Sequence, residues 1–246
     1  MNLQNNVHNT EWRSEAIVMG RSTSYHLKSF LSPTSAESNQ YEVGNMTWLL
    51  FYYWQYCIYN NRIEELKDKF FPLLKKSIAY YSFIRTKGAD GKYHLPLTAS
   101  PEYLPAEDCN YDLACLRWGL ETLLDINRKY NLNDNKEAHW EDFLNNLIDY
   151  PVDASRGYMI GKGVNLTSSH RHYSHLMMIY PFYTIHWEQE ANQSLIAKSI
   201  NNWQSQTGAL QGYSFTGSSA MYSSMGDGTR AVKQLQSLLD KYIQPN

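Results

Sequence analysis

The residues able to do chemistry in this 246-residue chain cluster at four places. Ser100-Pro101-Glu102 lies in a proline-punctuated loop, LPLTASPEYLPAEDC, with Tyr93 and Tyr103 close in sequence. Proline restricts the backbone ahead of Glu102, and a carboxyl beside aromatic rings loses hydration, which raises its pKa and suits it to general-acid work. A solvated loop carboxylate or a helix cap is the structural alternative. Asn110-Tyr111-Asp112 opens a helix. Asp112 there favours the helix N-terminus electrostatically, or binds a ligand or orients a site.

His170-Arg171-His172-Tyr173-Ser174-His175 is the densest polar cluster, and it runs directly into Leu-Met-Met-Ile-Tyr. On a helix His172 and His175 share a face and His170 does not. Three chemistries are open to it: hydrogen bonding of substrate hydroxyls, zinc ligation with a further carboxylate or water, or capping and interhelical hydrogen bonds. Gly226-Asp227-Gly228 precedes the last helical pattern. Asp227 reads as an N-cap, or as a base carboxylate partnering Glu102 from a distant loop.

The elements that must position these groups are helical. NMTWLLFYYWQYCIYNN has helical length and is apolar nearly all round, which predicts burial between neighbours. Asn61 and Glu64 predict a capping box for a helix carrying Ile63, Leu66, Phe70, Leu73, Leu74, Ile78 and Tyr81, kinked or divided at Pro72. Gly88 to Gly91 ends that pair. Further helices are expected from about Tyr111, from a capping box at Asp134 and Glu137 to near Pro151, over 190–203 and over 228–242. In the last, Ala231, Val232, Leu235, Leu238, Leu239 and Tyr242 share a face. A short hairpin near 156–164 is the strand candidate. Residues 1–44 read as an irregular N-terminal segment and 45–246 as an all-α domain of paired helices, forming a solenoid or closed toroid.

Composition narrows the partners. The 22 basic and 24 acidic residues nearly balance at a net charge of −2, so no basic field gathers nucleic acid or anionic lipid. With 43% apolar and 19% charged residues the chain is a folding one. Its 20 Tyr and 7 Trp offer the flat apolar faces with polar edges that suit a carbohydrate or peptide groove. Cys57, Cys109 and Cys115 make neither a disulfide framework nor a close metal-binding pair. No basic start followed by an apolar run opens the chain, so no signal peptide is read and localisation stays open. No stretch is long enough to span a bilayer.

Taken in order, the motifs resemble glycoside hydrolase family 95. The Trp-rich segment from Gly44 to Arg85, the LTASPEY loop, NYDLACLRWGLETLLDI, HRHYSHLMMIYP and MYSSMGDGTRA are each similar to a family segment, over roughly 44–239. The resemblance implies an (α/α)6 toroid and inverting, exo-acting hydrolysis of terminal sugars, chiefly alpha-L-fucosides and in some members L-galactosides. It implies no metal or organic cofactor. Glu102 takes the general-acid place and Asp227 that of the aspartate supporting the base. His170, Arg171, His172 and His175 would hold ring hydroxyls, with Trp48 or Trp54 lining the pocket.

The family's Asn-x-Asn segment before the Trp-rich helices has no counterpart in 1–43, and Asn39 and Asn45 do not match it. Ser224 and Met225 stand where the family has Arg-Leu, and Phe182 where it has glycine. About eight of the toroid's twelve helices are visible, so the expectation is an incomplete toroid with exposed apolar helix faces and a tendency to self-associate. The other readings are a noncatalytic sugar-binding form, and a polysaccharide lyase with Tyr173, His172 and Arg171 as base, acid and carboxylate neutraliser.

Overall fold

The computed structural model describes residues 2–29 and 41–244. Ser32, Pro33 and Asn39 lie outside the described residues. Helix α1 (Asn2–Asn5) and a 3-10 turn (Thr10–Ser14) precede α2 (Asn45–Tyr59), α3 (Ile63–Glu65) and α4 (Phe71–Ile84). Then come α5 (Asn110–Lys129), α6 (Glu137–Asn146), α7 (Glu190–Ser205), α8 (Gly212–Ser224) and α9 (Gly228–Tyr242). Three two-stranded antiparallel ribbons interrupt the helices: β1 (Thr86–Lys87) with β2 (Tyr93–His94), β3 (Thr98–Ala99) with β4 (Pro105–Ala106), and β5 (Val152–Asp153) with β6 (Gly157–Tyr158). The hairpin expected near 156–164 therefore turns earlier, and Gly161 and Val164 add only an isolated bridge.

Helix α5 is the centre of the core. From Asn110 to Asn127 nearly every side chain is buried, and α4 and α6 pack on it. Small residues permit that crowding: a Cβ on Gly119 would sit 2.4 Å from Ile78 Cδ1. The chain before α2 joins the same core through Val7, Ala16, Ile17 and Val18, all at 0–1% exposure.

Pro72 does not divide its helix. Pro72 has no N–H, and the turn before it widens to a π-turn (Leu66–Phe70), with Phe71 N–H donating to Leu66 O. Neither expected capping box forms. Arg62 and Lys136 occupy the N-cap positions without side-chain caps. Asn61 takes a left-handed φ of 51°, while Asp134 pairs with Lys75 instead. Helix α8 is rich in Gly, Ser and Thr and has little apolar periodicity, so no helical pattern is legible over it. Its start is held by a reciprocal cap between Gln211 and Ser214.

Helix α2 is not buried all round. Met46, Thr47, Leu50, Phe51 and Cys57 face the core, whereas Leu49, Tyr52, Tyr56 and Tyr59 are exposed. At the other end of the chain, α9 packs on α8, with Ala231 buried, and leaves Val232, Leu235 and Leu239 exposed. Both apolar faces stand open, at the first and last long helices.

The approach of α2 to α5 is set at Gly44, where a Cβ would lie 2.6 Å from the Tyr111 ring and 3.0 Å from Asp112 Oδ1. Gly44→Ala is expected to cost about 1–3 kcal/mol in urea unfolding, the usual penalty for overpacking. Gly228→Ala, whose Cβ meets nothing within 4 Å, is expected to stay within about 0.5 kcal/mol of the parent. Equal effects at the two sites would contradict this packing.

Candidate active site

The β3–β4 ribbon pairs Thr98 with Ala106 and Ala99 with Pro105, so Ser100 to Leu104 form its tip. Glu102 sits there at φ 58°, a left-handed conformation that a non-glycine residue holds at a cost of about 1–2 kcal/mol. Two contacts clamp the tip against the His-rich segment. The Ser100 and Ser174 hydroxyls meet at 2.7 Å, and His170 Nε2–H donates to Pro101 O at 2.9 Å. His170 is anchored in turn by Trp203, whose indole N–H donates to its carbonyl at 2.8 Å.

Around the Glu102 carboxylate three cationic or donor groups converge. Arg171 pairs with Oε2, His172 Nε2–H donates to Oε2 at 3.0 Å, and an Arg21 guanidinium nitrogen lies 3.2 Å from Oε1. The Tyr213 hydroxyl lies 2.9 Å from His172 Nδ1, on the side of the ring away from Glu102. Burial lowers the His172 pKa, against the pull of the Glu102 carboxylate. Partial burial pulls the Glu102 pKa upward, but hydrogen bonds from His172 and Arg171 outweigh it and the net direction is down. The expectation of a raised Glu102 pKa beside aromatic rings is thus reversed. Tyr103 tilts over His170 rather than desolvating the carboxylate.

Glu102 and His172 open onto a cavity of about 410 Å³, which is also lined by Arg21, Glu42, Asn45, Trp48, Leu49 and Tyr52. The Trp48 indole nitrogen is buried without a hydrogen-bond partner. Glu42 is buried and accepts from Asn45 Nδ2 at 3.2 Å, while Tyr111 O–H donates to Asn45 Oδ1 at 2.7 Å. A larger groove of about 710 Å³, with Phe71, Lys75, Arg85 and Trp140 in its walls, contains none of these groups. Convergent titratable groups, rather than volume, mark the smaller cavity as the candidate site.

The structure thus brings together Glu102, Arg171, His172 and Trp48, with His170 as the brace behind Pro101. It does not bring in the other three expected site residues. Asp227 caps α9, accepting from Arg230 N–H at 2.8 Å and pairing with the Arg230 side chain, and it does not line the cavity. Asp112 is fully buried beneath the site, accepting from Thr98 Oγ1–H at 2.6 Å and Tyr81 O–H at 3.1 Å. Burial pushes its pKa up to about 7. His175 is also fully buried, with neither ring nitrogen partnered, and burial pushes its pKa down to about 3. Proximity in sequence carried these two into the expectation, but the helical rise of α5 and the turn at Ser174–Leu176 point them into the core.

Sequence reasoning passed over Arg21 and Glu42, and set Asn45 aside because it does not match the family's Asn-x-Asn segment. Glu42 carried one usable signal, a lone carboxylate between Tyr41 and Val43 just ahead of the Trp-rich helix. Tyr173 packs at 7% exposure against Trp203 and Tyr213, and burial drives its phenol pKa far up, so the lyase reading lacks the base it needs. Among the described residues no group of three or more His, Cys, Asp or Glu side chains is arranged to hold a metal ion, and no helix is long and apolar enough to cross a membrane.

The fold is a partial (α/α)6 toroid, an architecture used by carbohydrate-active enzymes. The glycosyl hydrolase family 95 catalytic domain matches residues 8–246, and the chain belongs to that family. Among solved structures it is similar to a protein assigned as a kojibiose phosphorylase from human microbiome, with a TM-score of 0.64 at 12% identity. The superposition covers 98% of this chain and 41% of that one, so the chain spans less than half of its neighbour's length. No curated protein matches the sequence.

The buried Asp112 gives a pH test. Its folded pKa of about 7 exceeds the ordinary 3.8, so folding takes up a proton between those values. The stabilisation is complete below the unfolded pKa and lost as pH rises through 7. Asp112→Asn should therefore gain on the parent by roughly 2–4 kcal/mol between pH 4 and pH 8, read from urea midpoints at both. A gap independent of pH would contradict the assignment.

Proposed function

We propose that the chain is a glycosidase domain that hydrolyses terminal sugars with inversion, of the alpha-L-fucosidase or L-galactosidase type, with Glu102 as proton donor. One observation carries this reading: a carboxylate held in strained left-handed backbone faces a sugar-sized cavity walled by Trp48 and Tyr52. Backbone strain at such a position is retained where function requires it. Aromatic walls suit the apolar faces of a pyranose, and His172 and Arg171 suit its hydroxyls.

The mechanism requires the proton to pass from Glu102 to the leaving-group oxygen while water attacks the opposite face of the ring, the two groups standing about 6.5–9.5 Å apart. Arg171 and His172 stabilise the carboxylate left after that transfer. They also hold Glu102 ionised in the free chain, so the protonated, active form belongs to acidic pH. The open faces of α2 and α9 support self-association or packing with further helices.

Release of phenol from aryl alpha-L-fucosides and L-galactosides tests the reading. Turnover that falls at least about 100-fold in Glu102→Gln is expected, with the same rate whether or not inorganic phosphate is present. Binding of sugar without turnover would point to a noncatalytic form, and phosphate-dependent cleavage to phosphorolysis. Arg171→Gln should move the alkaline limb of the pH profile upward by about one unit or less, because removing a neighbouring cation raises a carboxyl pKa. A downward move would contradict the charge arrangement.

A further inference from the structure

The larger groove, of about 710 Å³, lies between α4 and the start of α6 and is also bordered by Ser14 and Glu15. Its walls combine apolar rings with cations. Phe71 and Trp140, both buried, meet edge to face at 5.9 Å, and Phe83 is fixed by stacking on Trp12 at 5.1 Å. Lys75, Lys76, Arg85 and Lys136 line the groove beside only two carboxylates, Glu15 and Asp134.

Asp134 is already used. Lys75 pairs with it, and the Lys136 backbone N–H donates to its Oδ1 at 3.0 Å. The other cations meet neutral groups. Lys76 Nζ donates to Ser14 O at 3.3 Å. Arg85 donates to Ser82 O at 2.8 Å, its guanidinium carbon lying 4.5 Å and 4.4 Å from the ring centres of Tyr93 and Phe143. Among the described residues neither Lys76, Arg85 nor Lys136 enters an ion pair. Their field reaches the groove wall: burial lowers the His139 pKa, and Arg85 and Lys136 lower it further. Cations gathered in this way repel one another, in a chain whose net charge is −2, and a bound anion would relieve them.

We propose that this groove is a second ligand site, separate from the Glu102 cavity, and that it takes an aromatic carboxylate, its ring against Phe71, Phe83 and Trp140 and its carboxylate towards Lys76, Arg85 and Lys136. The groove has the size of a small-molecule site, with mostly apolar walls and a few polar groups that fix orientation. Aromatic walls gain from an aromatic ring beyond the area it buries, and ammonium and guanidinium groups form their strongest hydrogen bonds to anions. A neutral sugar would leave the three cations unmatched. The site stands whether or not the chain is a glycosidase, because it shares no residue with the Glu102 cavity.

Isothermal titration calorimetry with 2-naphthoate and its uncharged counterpart 2-naphthamide tests the proposal. The parent should bind 2-naphthoate at least about tenfold more tightly than the amide, with an affinity that falls as sodium chloride is raised. Lys76→Glu and Lys136→Glu change exposed or half-exposed side chains and should each weaken 2-naphthoate by about fivefold or more while leaving the amide unaffected. Lys162→Glu makes the same charge change outside the groove and should stay within about twofold of the parent. Absence of 2-naphthoate binding at millimolar concentration, equal affinity for the amide, or equal losses in Lys162→Glu and the two groove variants would overturn the site.

Discussion

Everything in the site depends on the clamp between the β3–β4 tip and the segment that follows Ser169. The Ser100–Ser174 hydroxyl pair and the His170 to Pro101 hydrogen bond join residues about seventy positions apart and are buried from water. Buried hydrogen bonds of this kind contribute modestly when made and cost about 1–3 kcal/mol each when one partner is lost. Together they hold Pro101, and therefore Glu102, in a backbone conformation that an isolated loop would leave. The His-rich motif is thus first a scaffold. Only Arg171 and His172 extend past it to the carboxylate.

Charge follows from that placement. With Arg21, Arg171 and His172 gathered on one carboxylate, Glu102 is stabilised as an anion, while Glu42 and Asp112 behind it are pushed towards their neutral forms. Three carboxyls within one wall are tolerable because burial spreads their pKa values apart. The gradient runs from charged at the mouth towards neutral in the core.

Much of this was legible in the sequence where local rules decide. The apolar periodicity marks α5 and α9 closely, and the ordered motifs identify the family. What was not legible came from long-range contacts. Arg21 and Glu42 lie in a stretch without periodicity, and only folding brings them 60–80 residues across to Glu102. His175 and Asp112 look functional because polar residues cluster around them, yet the helix geometry turns both inward. The widened turn before Pro72 and the polar helix α8 show tertiary packing overriding local signals.

The central claim is that sugar occupies the cavity between Trp48 and Glu102 rather than the larger groove beside Trp140. A crystal structure of the Glu102→Gln protein soaked with an aryl alpha-L-fucoside tests it most directly. The account predicts a pyranose against Trp48 and Tyr52, with its glycosidic oxygen within hydrogen-bonding distance of residue 102. Sugar seated in the groove of Phe71, Lys75 and Trp140, with the Trp48 cavity empty, would contradict it.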